Sequence, residues 1–256
     1  MRVRAILLAF AGLSLATGAL AQGTKPGDSG CILDNCADKK PMPAQSAVSP
    51  AVPAPADRAR PRGASAPGDF DFYVLSLSWS PGFCATGGAQ KTRSQCESGS
   101  GLGFVVHGLW PQYESGFPQD CGPAGRSPSR IALEAAKGLY PDANLARYEW
   151  RKHGTCSGKS PTDYFADVRR ARDAIEIPPP FRAASDRQTW TPIDIQRGFI
   201  AANPKLRPDM MGIACRSGVL EEVRICFSKD LRDFHTCPQV SQGSCRTREL
   251  RVPAPL

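Results

Sequence analysis

Histidine is scarce in this chain, with three in 256 residues: His107, His153 and His235. No His-Glu-x-x-His run is present, so the commonest helical zinc site is missing. A Gly-rich phosphate loop is also absent, which argues against an enzyme that cradles a nucleotide triphosphate. The sequence holds no internal repeat, and that removes the solenoid and propeller architectures. Beyond the first twenty or so residues, no stretch is long and apolar enough to cross a membrane. Residues 37–68 lack large apolar side chains almost entirely and are rich in Pro, Ala and Ser. Such a segment cannot bury enough surface to offset its ordering entropy, so it reads as a disordered linker.

What is present begins with a leader. Arg2 and Arg4 precede an apolar run from Ala5, and Ala19-Leu20-Ala21 supplies a small-residue cleavage site. Residues 1–21 therefore read as a secretory signal peptide, and Gly12, Ser14, Thr17 and Gly18 break the run in a way that disfavours a membrane anchor. Ten cysteines behind such a leader imply disulfides and an oxidising compartment, periplasmic or extracellular. Residues 22–68 combine a possible Cys31/Cys36 loop with the linker, and residues 69–256 form the domain. Arg2 and Arg4 supply two of the +8 formal charges and the 22–68 segment two more, leaving +4 for the domain. That mild excess is compatible with a polyanionic partner without demanding one.

Within the domain, Val74, Leu75, Leu77 and Trp79 interleaved with Ser76 and Ser78 predict a strand over 70–79, followed by a turn at Ser80-Pro81-Gly82 and a loop between Cys84 and Cys96. A helix is expected over 129–139. Ser160-Pro161-Thr162-Asp163 and Thr191-Pro192-Ile193-Asp194 are helix starts, each with a capping hydroxyl, a first-turn proline and an acid three residues after the cap. Residues 208–228 turn strand-like. Helices and strands do not alternate as regular βαβ units, so the expected class is α+β, a central antiparallel sheet flanked by helices and stapled by disulfides.

Two stretches stand out chemically. In Phe104-Val105-Val106-His107-Gly108-Leu109-Trp110-Pro111-Gln112 a short buried strand delivers a histidine to a bend. In Tyr148-Glu149-Trp150-Arg151-Lys152-His153-Gly154-Thr155-Cys156 a helix starting after Asp142 would place Glu149, Lys152 and His153 on one face, with Gly154 in the left-handed position beyond its end. An acid, an ammonium and an imidazole together suit acid–base chemistry, although an ordinary salt-bridged helix end has the same composition. The helix C-terminus and Glu149 both lean towards a charged His153. Trp110 divides evenly between core packing and substrate contact. Gln112 and Tyr113 could touch a base or serve a plain loop. Trp79, Trp150 and Trp190 read as structural and His235 as a surface residue.

These two segments, in this order on a secreted cysteine-rich chain, resemble the two active-site segments of the ribonuclease T2 family. Trp79-Ser80-Pro81-Gly82-Phe83-Cys84 and Asp120-Cys121-Gly122 add to the likeness, which covers residues 69 to about 250. The resemblance implies His107 and His153 as the catalytic histidines, with Glu149 and Lys152 stabilising the pentacoordinate phosphorane. It implies an aromatic at the phosphate or base site for Trp110. Many members have His where this chain has Tyr148, whose hydroxyl can donate to phosphate but carries no charge. Weaker substrate binding or an altered pH profile is the expected result. The resemblance further implies Cys84–Cys96, Cys121–Cys156, Cys215–Cys245 and Cys226–Cys237, and leaves Cys31 with Cys36. Cys156 is then a disulfide cysteine rather than a nucleophile.

The implied reaction cleaves single-stranded RNA through a 2′,3′-cyclic phosphate with no metal and no cofactor. DNA, lacking the 2′-hydroxyl, is spared. A monomer free of any membrane anchor after leader removal is expected. Two other readings compete. One is a non-catalytic RNA-binding or signalling relative, favoured only by Tyr148. The other is a metal hydrolase using His107, Glu149 and His153, which chelator sensitivity would separate from the first.

Overall fold

The computed structural model describes residues 65–122, 127–182 and 184–256. The leader, the Cys31/Cys36 loop and most of the linker lie outside these residues. The chain is already tied to the domain at Gly68, whose N–H donates to the Cys156 carbonyl at 2.9 Å.

Strand β1 (Phe72–Trp79) is buried over its whole length, which is why its sequence is largely apolar rather than strictly alternating. Helix α1 (Ser80–Ala85) follows at once, where a simple turn was expected. Pro81 sits in its first turn, a position that needs no N–H. The next strand, β2 (Phe104–Gln112), does not end at His107 but runs on to Gln112. Pro111 is tolerated because β2 is an edge strand.

Helix α2 (Arg130–Ala135) is shorter than its expected span, with Ser129 Oγ accepting from the Ala132 N–H. Helix α3 (Ala143–Lys152) is capped by Asp142, which accepts from the N–H groups of Asn144 and Leu145. Helix α4 (Pro161–Asp173) is capped by Ser160. A short α5 (Pro179–Arg182) and strand β3 (Gln188–Trp190) lead to α6 (Pro192–Ala202), capped by Thr191. Strands β4 (Met211–Arg216) and β5 (Val219–Ser228), helix α7 (Pro238–Gln242) and strand β6 (Leu250–Val252) complete the domain.

The sheet runs β2-β1-β5-β6-β3, with β4 also paired to β5. Its pairings are antiparallel except the single parallel contact of β5 with β6. Leu75, Leu77, Leu109, Val223 and Ile225 pack into one core with Trp150, Tyr164, Phe165 and Val168 from the helices. Among the described residues, disulfides join Cys84–Cys96, Cys121–Cys156, Cys215–Cys245 and Cys226–Cys237, and no helix is long and apolar enough to cross a membrane.

The end of α3 differs from expectation. His153, at φ −124°, closes the helix, and the chain tightens into a 3-10 turn over Gly154–Ser157. Gly154 is required by space, not by a left-handed backbone. A Cβ there would lie 2.5 Å from the Trp150 ring and 3.0 Å from that of Tyr164.

Candidate active site

The sheet register builds half the site. β1 and β2 pair from Phe72–Gln112 to Ser76–Gly108, and then Leu77 pairs with Val106, so His107 is the extra residue of a β-bulge. A bulge re-aims the side chain it carries. On the other flank of β1, Glu222 lies opposite Ser78 and Arg224 opposite Ser76. Opposed residues share a face, and the two small serines between leave room above β1. His107 and Glu222 meet across that gap, Nδ1 to Oε1, at 2.5 Å. Arg224 holds the other oxygen of Glu222 through Nε and Nη2, at 2.9 and 2.7 Å. Its guanidinium also lies 5.4 Å from the centre of the Trp110 ring.

Helix α3 builds the other half. Ala146 and Trp150 anchor it in the core. Glu149 is 1% exposed and accepts from Trp110 Nε1–H at 2.8 Å. Its other oxygen lies 3.7 Å from His107 Nε2. That contact requires glycine at 108, where a Cβ would fall 2.1 Å from Glu149 Oε2 and 2.2 Å from Trp110 Nε1. The Trp110 ring stands between the histidines, edge-on to His107 at 5.3 Å and tilted against His153 at 5.4 Å.

The electrostatics separate the two histidines. Burial on its own would discharge His107, but the bond and charge of Glu222, with Glu149 beyond, outweigh it and raise the imidazole above 6.5. His153 faces the opposite balance. Burial, the His107 charge and Lys152 push it down to about 3, and its Nδ1 is buried without a partner. The charged His153 expected from the helix end is therefore overturned, because burial and the charges of His107 and Lys152 outweigh the helix end, and Glu149 turns to His107 and Trp110 instead. Burial likewise raises Glu149, with His107 and the Trp110 bond opposing, to about 7. Glu222 also meets a burial cost, yet His107 and Arg224 together draw it down to about 2.

Lys152 does not pair with Glu149. Its Nζ lies 3.1 Å from Asp120 Oδ2, while the Asp120 N–H donates to the Lys152 carbonyl at 2.8 Å. Asp120 adopts φ 54°, a left-handed conformation that Asp tolerates, and Cys121–Cys156 fixes this loop to the turn after α3. Tyr148 is exposed and lines a cavity of about 910 Å³ that begins at His107 and Glu222. Gln112 is not on the wall of that cavity, and its amide donates to the adjacent Pro111 carbonyl. His235 stacks on Phe72 and pairs with Glu114, apart from the cluster. Trp79 and Trp150 are buried in the core. Among the described residues no three His, Cys, Asp or Glu side chains are grouped to hold a metal ion.

Sequence reasoning missed Glu222 and Arg224. The available signal was an acid beside Leu220 and Val223 in an otherwise apolar strand, since a buried carboxylate needs a partner.

Comparison with known proteins gives a consistent result. The profile of the ribonuclease T2 family matches residues 70–237. A ribonuclease of Aeromonas hydrophila is 40% identical over 181 residues, covering 68% of this chain and 80% of that protein. Ribonuclease DdI of Dictyostelium discoideum is 30% identical over 202 residues, covering 71% and 84%. Among solved structures, RNase NT in complex with 5′-AMP superposes with a TM-score of 0.54 at 22% identity, over 73% of this chain and 99% of that one. At that identity the superposition speaks for the fold alone.

Proposed function

The chain belongs to the ribonuclease T2 family and is an endoribonuclease; on that premise we propose that it cleaves single-stranded RNA by transesterification, with His153 as base and His107 as acid. The observation that carries this reading is the asymmetry of the two imidazoles around Trp110. Carboxylates approach both nitrogens of His107, whereas His153 has none within ion-pairing distance among the described residues.

The chemistry follows from that asymmetry. Neutral His153 accepts the proton of the 2′-hydroxyl, and O2′ forms a bond to phosphorus. The bond from phosphorus to O5′ breaks, and O5′ leaves with the proton of His107. The products are a 2′,3′-cyclic phosphate and a 5′-hydroxyl. Negative charge develops on the non-bridging oxygens. Lys152 supplies positive charge there, and Glu149, with its carboxyl held near 7, is available in protonated form as a donor. The Tyr148 hydroxyl can add a neutral hydrogen bond from the cavity wall. Glu222 does not touch the substrate in this scheme. It positions His107 and sustains its charge. No step calls for a metal, and DNA has no nucleophile to offer. Residues 69–256 are the catalytic domain in this reading, working outside the cytoplasm.

The test is a short RNA incubated with the oxidised protein in EDTA, with product ends read by mass spectrometry. Cyclic phosphate ends that disappear in His107→Ala and His153→Ala are expected. Cleavage only after metal is added would overturn the mechanism. RNA binding without cleavage under any condition would instead favour a non-catalytic relative.

A further inference from the structure

The cavity beside His107, about 910 Å³, stands near the upper end of the roughly 300–1,000 Å³ spanned by small-molecule pockets. Its charged lining is mostly neutralised from within. Arg216 pairs with Glu221 at 3.0 Å, Arg224 pairs with Glu222, and Asp142 caps α3. Lys91 and Arg93 are the exceptions, exposed on the cavity wall with no ion-pair partner among the described residues. The segment that carries them is held in place on three sides. Cys84–Cys96 closes it. Buried Gln95 donates to Ser78 Oγ and Ser80 Oγ at the end of β1. Ser94 Oγ donates to Asp142 at the start of α3, at 2.6 Å. Two cations on an anchored segment thus share an open cavity with His107.

We propose that Lys91 and Arg93 form a subsite for a second RNA phosphate, the one on the 3′ side of the nucleoside that leaves. The direction rests on the reading of His107 as the acid. His107 protonates O5′, so the leaving nucleoside lies on its side of the site, and the next phosphate along the chain reaches the far wall. Charge-assisted bonds from two partly solvated cations correspond to roughly a tenfold preference at low salt.

The test compares a dinucleotide NpN with NpNp, which carries an added 3′-phosphate, and with pNpN, which carries an added 5′-phosphate. In the native protein kcat/KM is expected to rise about tenfold for NpNp over NpN and to change little for pNpN. The doubly substituted Lys91→Ala, Arg93→Ala protein should cleave NpN at the native rate and lose the NpNp advantage. Equal use of NpN and NpNp by the native protein overturns the subsite and leaves the mechanism standing. So does an advantage that survives both substitutions, or an equal advantage for pNpN. Failure of the native protein to cleave any of the three removes the mechanism, and the subsite with it.

Discussion

Replacing Glu222 with Gln keeps a hydrogen-bond partner at His107 Nδ1 but removes its charge. In the native protein the site predicts a broad pH profile for kcat/KM. His153 accepts a proton only as pH falls towards about 3, so the acidic limb lies well below the ordinary imidazole range. His107 stays protonated past 6.5 and Glu149 keeps its proton up to about 7, so the basic limb lies above 6.5. Glu222→Gln should move the basic limb to lower pH, because it deletes the main favourable charge. The acidic limb should stay in place, and a basic limb that does not move would sink the assigned role of Glu222. The residue scale is also where sequence reading divides most sharply. His107, Glu149, Lys152 and His153 lie in two short segments that announce themselves. Glu222 stands 115 residues from His107, and the pair exists only because β1 threads between their strands. No local pattern encodes that meeting. The same holds for the protonation of His153, which follows from its burial beside His107 and Lys152 rather than from spacing along a helix.

At the level of elements, β2 and α3 touch through Gly108. Gly108→Ala places a methyl group against both Glu149 Oε2 and Trp110 Nε1, and neither can yield without shifting the site. A displacement of about 1 Å costs on the order of 100-fold in rate. The expected outcome is that loss in kcat/KM, with the far-ultraviolet circular dichroism of the fold retained. Helix starts were the most legible elements, since Asp142, Ser160 and Thr191 all cap where their side chains said they would. Capping is a local bond between a side chain and the next turn, so sequence carries it. Helix ends were less legible. Gly154 serves the packing of Trp150 and Tyr164, a tertiary requirement that mimics a C-terminal signal. The bulge at His107 was invisible because a bulge is a mismatch between two strands, and only one strand is in view when a segment is read alone.

For the whole molecule, the site sets a pH window of stability. Glu222 is depressed to about 2, so its contribution is present above 4.5 and is lost as pH falls towards 2. His153 is also depressed, so its contribution is complete above 6.5 and shrinks as pH falls towards about 3. Glu149 is raised to about 7, so its contribution is complete below 4.5 and lost as pH climbs to 7. His107 is raised as well, and its contribution fades as pH rises above 6.5. Between 4.5 and 6.5 the opposite trends of Glu149 and His153 offset, and stability falls away on either side. Glu149→Gln should therefore raise Tm at pH 8 by a few degrees, with the gain shrinking towards pH 4.5, while kcat/KM falls. Thermal unfolding at the two pH values measures it, and an equal change at both would contradict the burial argument.

The placement of Trp110 has an optical consequence. Of the four tryptophans it alone is in ring contact with both histidines and with Arg224, while Trp79 and Trp150 sit in the core. A protonated imidazole quenches indole emission more strongly than a neutral one. The discharge of His107 on raising the pH should therefore brighten the intrinsic fluorescence, and an occupant of the cleft should alter it again, so that the molecule carries its own reporter dye at the proposed place of cleavage.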